Sequence, residues 1–196
     1  MIPIQETWTR HKNKENQKND DRSMEEKTIA DNQDIKKALD TIKEFCKANE
    51  ETLSVAESVS SGALQLLFSS EEEAGLFYEG GLTVYSLDQK ESLLDIPKEI
   101  TEPCHGVSSE IAEKLAKNVC QLYKTNIGMG LTGFASTFPE ENIYDLFAYG
   151  AAYRNGKLIF CEKIESDKDS PEGKREDYAK RVICKFAAFL KDKGSG

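Results

Sequence analysis

Apolar residues recur along this chain first with helical spacing and then with strand alternation, and the two patterns trade places to its end. Ile35, Ala38, Leu39, Ile42, Phe45 and Cys46 fall on one face of a helix expected over residues 32–48. Leu53 and Val55 alternate as the end of a strand. Small residues follow, and then Ala63, Leu64, Leu66, Leu67 and Phe68 predict a buried helix. Glu71-Glu72-Glu73 is expected to end that helix as a solvated face. Gly80-Gly81 introduces an alternating strand over residues 82–86, and a short helix from Asp88 to Leu94 stops before Pro97. Val107-Ser108-Ser109 caps a helix whose stripe is Ile111, Ala112, Leu115, Ala116, Val119, Cys120, Leu122 and Tyr123. Ile127, Met129 and Leu131 lie on one face of the next strand, with glycines on the other. It ends in the small residues of Thr132-Gly133-Phe134-Ala135-Ser136. Strands over 145–153 and 157–164 are joined through Asn155-Gly156, the signal of a type I′ hairpin. A helix over 175–191 closes the chain, with Tyr178, Val182, Ile183, Phe186, Phe189 and Leu190 inward. This alternation predicts an α/β fold, a three-layer α/β/α domain with a mixed sheet over residues 32–192.

Composition narrows the picture at the ends of the chain and in its partners. A length of 196 residues suits one domain of about 150 residues and a tail. Residues 1–31 are polar and rich in Lys, Asn, Asp and Glu, so they are expected to be a disordered tail, with Trp8 the exception. Residues 193–196 read as a linker or expression remnant. A formal net charge of −9 provides no field toward nucleic acid. No apolar run reaches membrane-spanning length, so no membrane partner is expected. Five widely spaced cysteines embedded in apolar patterns read as reduced thiols of a cytoplasmic protein, and no Cys or His spacing suggests a metal. There is no dinucleotide fingerprint and no phosphate loop, and no cofactor is expected. His105, in Pro103-Cys104-His105-Gly106, reads as a loop residue rather than a triad member.

The chemistry gathers at strand ends near Ser58, Tyr85 and Thr132, where open α/β sheets hold their ligands. A strand that turns sharply through Ser58, Ser60, Ser61 and Gly62 into a helix aims backbone N–H groups and the positive end of the helix dipole at one point. An exposed hydroxyl at Ser58 can attack there. Caps on a helix account for the same serines. Lys90 lies just past the next strand, at a helix end where the dipole disfavours a cation.

These residues resemble the C-terminal domain of the CinA family, the nicotinamide mononucleotide amidohydrolases. Ala56-Glu57-Ser58-Val59-Ser60-Ser61-Gly62 is similar to the family's Ala-Glu-Ser-x-Thr-Gly-Gly. Phe77 to Lys90 resembles Phe-x-x-Gly-x-x-x-Tyr-Ser-x-x-x-Lys with one extra residue before Tyr85. Leu94 to Pro97, Gly106-Val107-Ser108 and Thr132-Gly133-Phe134-Ala135 continue the likeness, which covers about Ile35 to Leu190. The resemblance implies hydrolysis of the carboxamide of nicotinamide mononucleotide to nicotinate mononucleotide and ammonia, in a homo-oligomer that uses no metal. It implies Ser58 as nucleophile, Lys90 as general base and Tyr85 as a pocket residue orienting Lys90. Thr132 and Gly133 would form the pocket floor. Ser60, Ser61 and Gly62 would offer backbone N–H groups to the oxyanion, beside Glu57.

The likeness has departures. Ser60-Ser61-Gly62 replaces Thr-Gly-Gly, which puts a Cβ where the family has a glycine. After Ala135 the family has a Gly-rich loop with a lysine, and this chain has Glu140 and Glu141, which repel a phosphate. Gly173-Lys174-Arg175 keeps part of a Gly-Asp-Arg-like block, in which Arg175 meets an anion. Three readings therefore stand: an amidohydrolase acting on the mononucleotide, one with a shifted substrate, and an inactive binding or assembly module. Convergence of Ser58 and Lys90 discriminates the first two from the third.

Overall fold

The computed structural model describes residues 32–194. The expected disordered tail, with Trp8, and the end of the expected linker lie outside the described residues. Contacts divide the chain into two units, Met1–Lys37 and Ala38–Gly196, at a point within helix α1 (residues 32–49). In the first unit the described residues are a helical stretch in which Lys37 pairs with Asp34 at 3.3 Å. The second unit carries the sheet and everything discussed below.

Five strands lie in the order β2-β1-β3-β4-β5. β1 (Leu53–Glu57) is an interior strand, buried at every residue, and runs parallel to both its neighbours, β2 (Tyr78–Thr83) and β3 (Ile127–Gly133). β4 (Ala148–Arg154) and β5 (Lys157–Ile164) continue antiparallel, so the sheet is mixed. Asn155 and Gly156, with φ of 48° and 83°, make the tight turn between them. Helix α5 (Ser109–Tyr123) covers one face. A Cβ on Gly128 would stand 2.0 Å from the Ala116 carbonyl oxygen, and one on Gly130 would stand 2.2 Å from that of Ala112. The glycine face of β3 is thus the groove in which α5 lies, and Ser108 fixes its start by accepting from Ile111 N–H at 3.1 Å. α2 (Ala63–Ser69) and α6 (Pro171–Gly194) cover the other face, where Val182 reaches within 2.4 Å of a Cβ built on Gly150. The result is the three-layer α/β/α arrangement expected from the alternation. The parallel run β2-β1-β3 brings three carboxyl ends side by side, and Ser58, Val84 and Thr132 stand there.

Three details differ from the sequence expectation. Gly80 and Gly81 lie inside β2 rather than ahead of it. A side chain at 81 would strike the Val55 carbonyl oxygen at 2.6 Å, and Tyr123 lies 3.1 Å from a Cβ at 80. The register along β2 skips a residue, with Leu53 opposite Tyr78 and Ser54 opposite Gly80. Glu71 is not part of a solvated face: it is buried, and Lys43 of α1, also buried, donates to it at 3.1 Å. α6 begins at Pro171, four residues early, because Ser170 accepts from Gly173 N–H at 3.0 Å and proline suits the first helical position.

Candidate active site

Ser58 follows directly on β1. Its N–H donates to the Leu131 carbonyl at 2.9 Å and its carbonyl accepts from Ser61 N–H at 3.3 Å. The turn closes through Ser61 at φ 52° and Gly62 at φ 107°, and α2 starts at once. Both are left-handed, so the position where the resemblance expects glycine and this chain has Ser61 is a strained one for a residue with a Cβ.

Glu57 holds this turn from beneath. Its fully buried carboxylate accepts from the Ser60 hydroxyl, from Leu64 N–H at 3.2 Å, from Gln65 N–H at 3.1 Å and from the Gln65 amide at 2.8 Å. Glu57 therefore caps α2 in place of Gly62, which has no side chain to do so. Both of its oxygens are engaged within the protein, and the same bonds occupy the helix N-terminus expected to hold an oxyanion. Ser61 N–H is likewise engaged, with the Ser58 carbonyl. Among the described residues the N–H groups of Val59, Ser60 and Gly62 have no hydrogen-bond partner.

Lys90 lies on α3 (Leu87–Leu94), whose start is fixed by Ser86 accepting from Gln89 N–H at 3.2 Å. The chain leaves β2 after Thr83 and turns its carbonyls inward. The Lys90 amine donates to the Val84 carbonyl at 2.9 Å, the Tyr85 carbonyl at 3.3 Å and the Ser58 hydroxyl oxygen at 3.1 Å. Lys90 is 2% exposed and Ser58 8%. Burial without a facing carboxylate pulls the amine down from 10.5 to about 8, and the nearby Cys104 thiol opposes this only partly. The same surroundings suit the neutral amine, whose two N–H bonds are taken by two carbonyls while its lone pair meets the Ser58 hydroxyl.

The structure places the remaining expected residues as follows. Tyr85 is 61% exposed, and the part of it that reaches Lys90 is its carbonyl. The Thr132 hydroxyl is fully buried and donates to the Gly106 carbonyl at 2.7 Å, so it braces a turn rather than flooring a pocket. Gly133 is pressed against the start of β4, where a Cβ would meet the Phe147 carbonyl oxygen at 2.5 Å. Arg175 joins the site from α6, donating to the Val59 carbonyl at 2.9 Å and the Ser61 hydroxyl at 3.1 Å, the bond that steadies the strained Ser61. Glu141 lies on an exposed loop closed by the Phe138–Ile143 bridge, and its carboxylate is 3.8 Å from His105. Gly106 was missed. A Cβ there would stand 3.3 Å from the Lys90 Cε and 2.8 Å from Leu87, and its φ is 74°. A glycine just before a capped helix was the available signal. Among the described residues no group of three or more His, Cys, Asp and Glu is placed to hold a metal, and no helix is long and apolar enough to cross a membrane.

The family model for the CinA C-terminal domain matches residues 35–186, most of the chain and the whole of this site. The chain belongs to that family. A CinA-like protein of Chlorobium chlorochromatii is 29% identical over 146 residues, covering 72% of this chain and 34% of that protein. A protein of Streptococcus agalactiae described as competence-damage inducible is 37% identical over 101 residues, covering 52% of this chain and 24% of its own. The chain thus spans a quarter to a third of these CinA relatives. A competence or damage-inducible protein of Enterobacter asburiae has a solved structure that superposes with a TM-score of 0.73 at 18% identity. That match covers 80% of this chain and 98% of the other, and at that identity it shows the fold.

Proposed function

We propose that this CinA domain is an amidohydrolase that converts the carboxamide of nicotinamide mononucleotide to the carboxylate and releases ammonia. The observation that carries the reading is the Lys90 amine 3.1 Å from the Ser58 hydroxyl, in a setting that lowers the amine to about 8 and so populates its neutral form near physiological pH. An amide carbon needs a strong nucleophile, and a serine becomes one only when a neighbouring base takes its proton. Lys90 accepts that proton as Oγ bonds to the amide carbon, and the carbonyl pair becomes an oxyanion. The N–H groups of Val59, Ser60 and Gly62 are the donors left for it, a term worth about 3 kcal/mol in acyl transfer. The Lys90 ammonium then returns the proton to the departing nitrogen, the C–N bond breaks and ammonia leaves an ester on Ser58. Water attacks that ester with Lys90 again as base, and the acid and free serine result.

The test is ammonia release from nicotinamide mononucleotide by the wild-type protein and by folded Ser58→Ala. Release that disappears in the variant is expected. Release equal in both, or absent from both, removes the reading. Glu141 beside His105 favours a second reading, a carboxamide substrate without the phosphate. Nicotinamide riboside in the same assay decides it, since the riboside then outpaces the mononucleotide.

A further inference from the structure

The two ends of the dyad are held by neighbouring residues of one strand. Leu131 fixes the nucleophile through Ser58 N–H at 2.9 Å. Thr132, the next residue, turns its hydroxyl the other way to the Gly106 carbonyl at 2.7 Å. Gly106 belongs to a tight turn in which its N–H donates to the Thr101 carbonyl at 2.7 Å and Val107 N–H donates to the Cys104 carbonyl at 2.9 Å. Cys104 Sγ donates to the carbonyls of Ile100 and Thr101 at 3.4 and 3.6 Å. That turn lies against the Lys90 side chain, with a Cβ position at Gly106 only 3.5 Å from the amine nitrogen. Thr101, Gly106 and Thr132 are buried.

We propose that Thr132 is a positioning residue: its hydroxyl fastens the Thr101–Val107 turn over Lys90 and so keeps water away from the amine that serves Ser58. Without the hydroxyl the Gly106 carbonyl is left buried and without a donor. The turn then lifts or takes in water to satisfy it. Either change hydrates the Lys90 ammonium and favours its charged form. The groups that meet the amine are known from every element around it. They are the Ser58 hydroxyl after β1, the Val84 and Tyr85 carbonyls after β2, and the Cys104 thiol, the one titratable group among the described residues whose charge bears on it. A change at Thr132 replaces none of these groups, and of them only Cys104 lies in the turn that moves.

The inference rests on the Ser58–Lys90 reading, and its test is read on Lys90 itself. In protein labelled with 13C at lysine Cε, the Lys90 signal, assigned by its loss in Lys90→Arg, is followed from pH 6 to 11. Thr132→Val removes the hydroxyl and keeps the shape, Thr132→Ala removes it without adding bulk, and Thr132→Ser keeps it. The expected result is a Lys90 titration displaced upward by about one pH unit or more in Val or Ala, a tenfold smaller neutral fraction at pH 7. Serine restores the wild-type value, and the alkaline rise of ammonia release moves with each. A wild-type titration in the Val or Ala variant overturns the proposal. So does a Ser variant displaced as far as Val, which would assign the effect to packing. Absence of ammonia release with the NMR shift intact would remove the amidohydrolase reading and leave the latch standing.

Discussion

Replacing Lys90 by methionine keeps an unbranched chain of similar length and removes the titrating group, so the pair of proteins isolates what one buried amine does to the fold as pH changes. In the unfolded chain the amine titrates near 10.5 and in the folded protein near 8. Below pH 8 both states are protonated, and folding must carry an ammonium into a poorly hydrated place. Above 10.5 both are neutral and that penalty is gone. Between the two, the unfolded state binds more protons than the folded one, so stability contributed by this residue rises with pH. The difference of 2.5 pH units, 10.5 minus 8, corresponds to about 3 kcal/mol at 1.36 kcal/mol per unit. Urea unfolding of both proteins at intervals from pH 7 to 10.5 measures it, and subtraction cancels the other lysines, tyrosines and thiols. The wild type is expected to gain about 3 kcal/mol on Lys90→Met across that interval. Curves that stay parallel would show that the amine titrates normally in the folded state, and the argument for a neutral base would be lost.

Glu57→Gln should destabilise the protein by about 2 kcal/mol or more, since an amide cannot accept all four donors that the carboxylate now holds; a raised KM at unchanged stability would instead put Glu57 in contact with substrate. Gly130→Ala should cost about 3 kcal/mol or more by thermal or chemical unfolding, because the carbonyl that the new methyl meets is helix backbone and cannot swing away. A stability loss below about 1 kcal/mol would mean that α5 sits farther from β3 than described. Glu141→Lys should lower KM for the mononucleotide about fivefold at low salt, with the gain shrinking as salt is added; an unmoved KM would place this loop away from the phosphate.

How much of this was legible beforehand depends on whether the cause was local. The stripe on α5, the alternation on β1 and the Asn155-Gly156 turn are local patterns, and each element formed where its pattern lies. The glycines of β3 were read correctly as one face because period two separates them from Ile127, Met129 and Leu131. Gly80 and Gly81 misled because a glycine pair signals a turn, whereas here it answers the close approach of Val55 and Tyr123 from distant parts of the chain. Within the three-glutamate run, Glu72 and Glu73 are exposed as expected, and only Glu71 misled, since the lysine that pairs with it is 28 residues away. In the site, the small-residue turn pointed to Ser58 and a resemblance paired it with Lys90; their contact depends on β1 and β2 being parallel neighbours, which no local pattern states. Thr132 and Gly133 were expected at a pocket floor, and their close contacts are with the protein. Residue type shows that a group can hydrogen-bond, and only the fold decides its partner. The carbonyls of Val84 and Tyr85 were beyond reach, because a backbone contact carries no residue signature.

The central claim is that Lys90 takes the proton of Ser58, and the most direct measurement is kcat/KM for ammonia release from pH 6 to 10 in the wild type and in folded Lys90→Arg. A neutral amine is required, so the wild-type value should rise with pH and level off above about 8. Guanidinium keeps the charge and cannot accept a proton, so the arginine protein should be nearly inactive throughout. An arginine protein within about tenfold of wild type, equivalent to roughly 1.4 kcal/mol of barrier, would show that the residue supplies charge alone and would contradict the account.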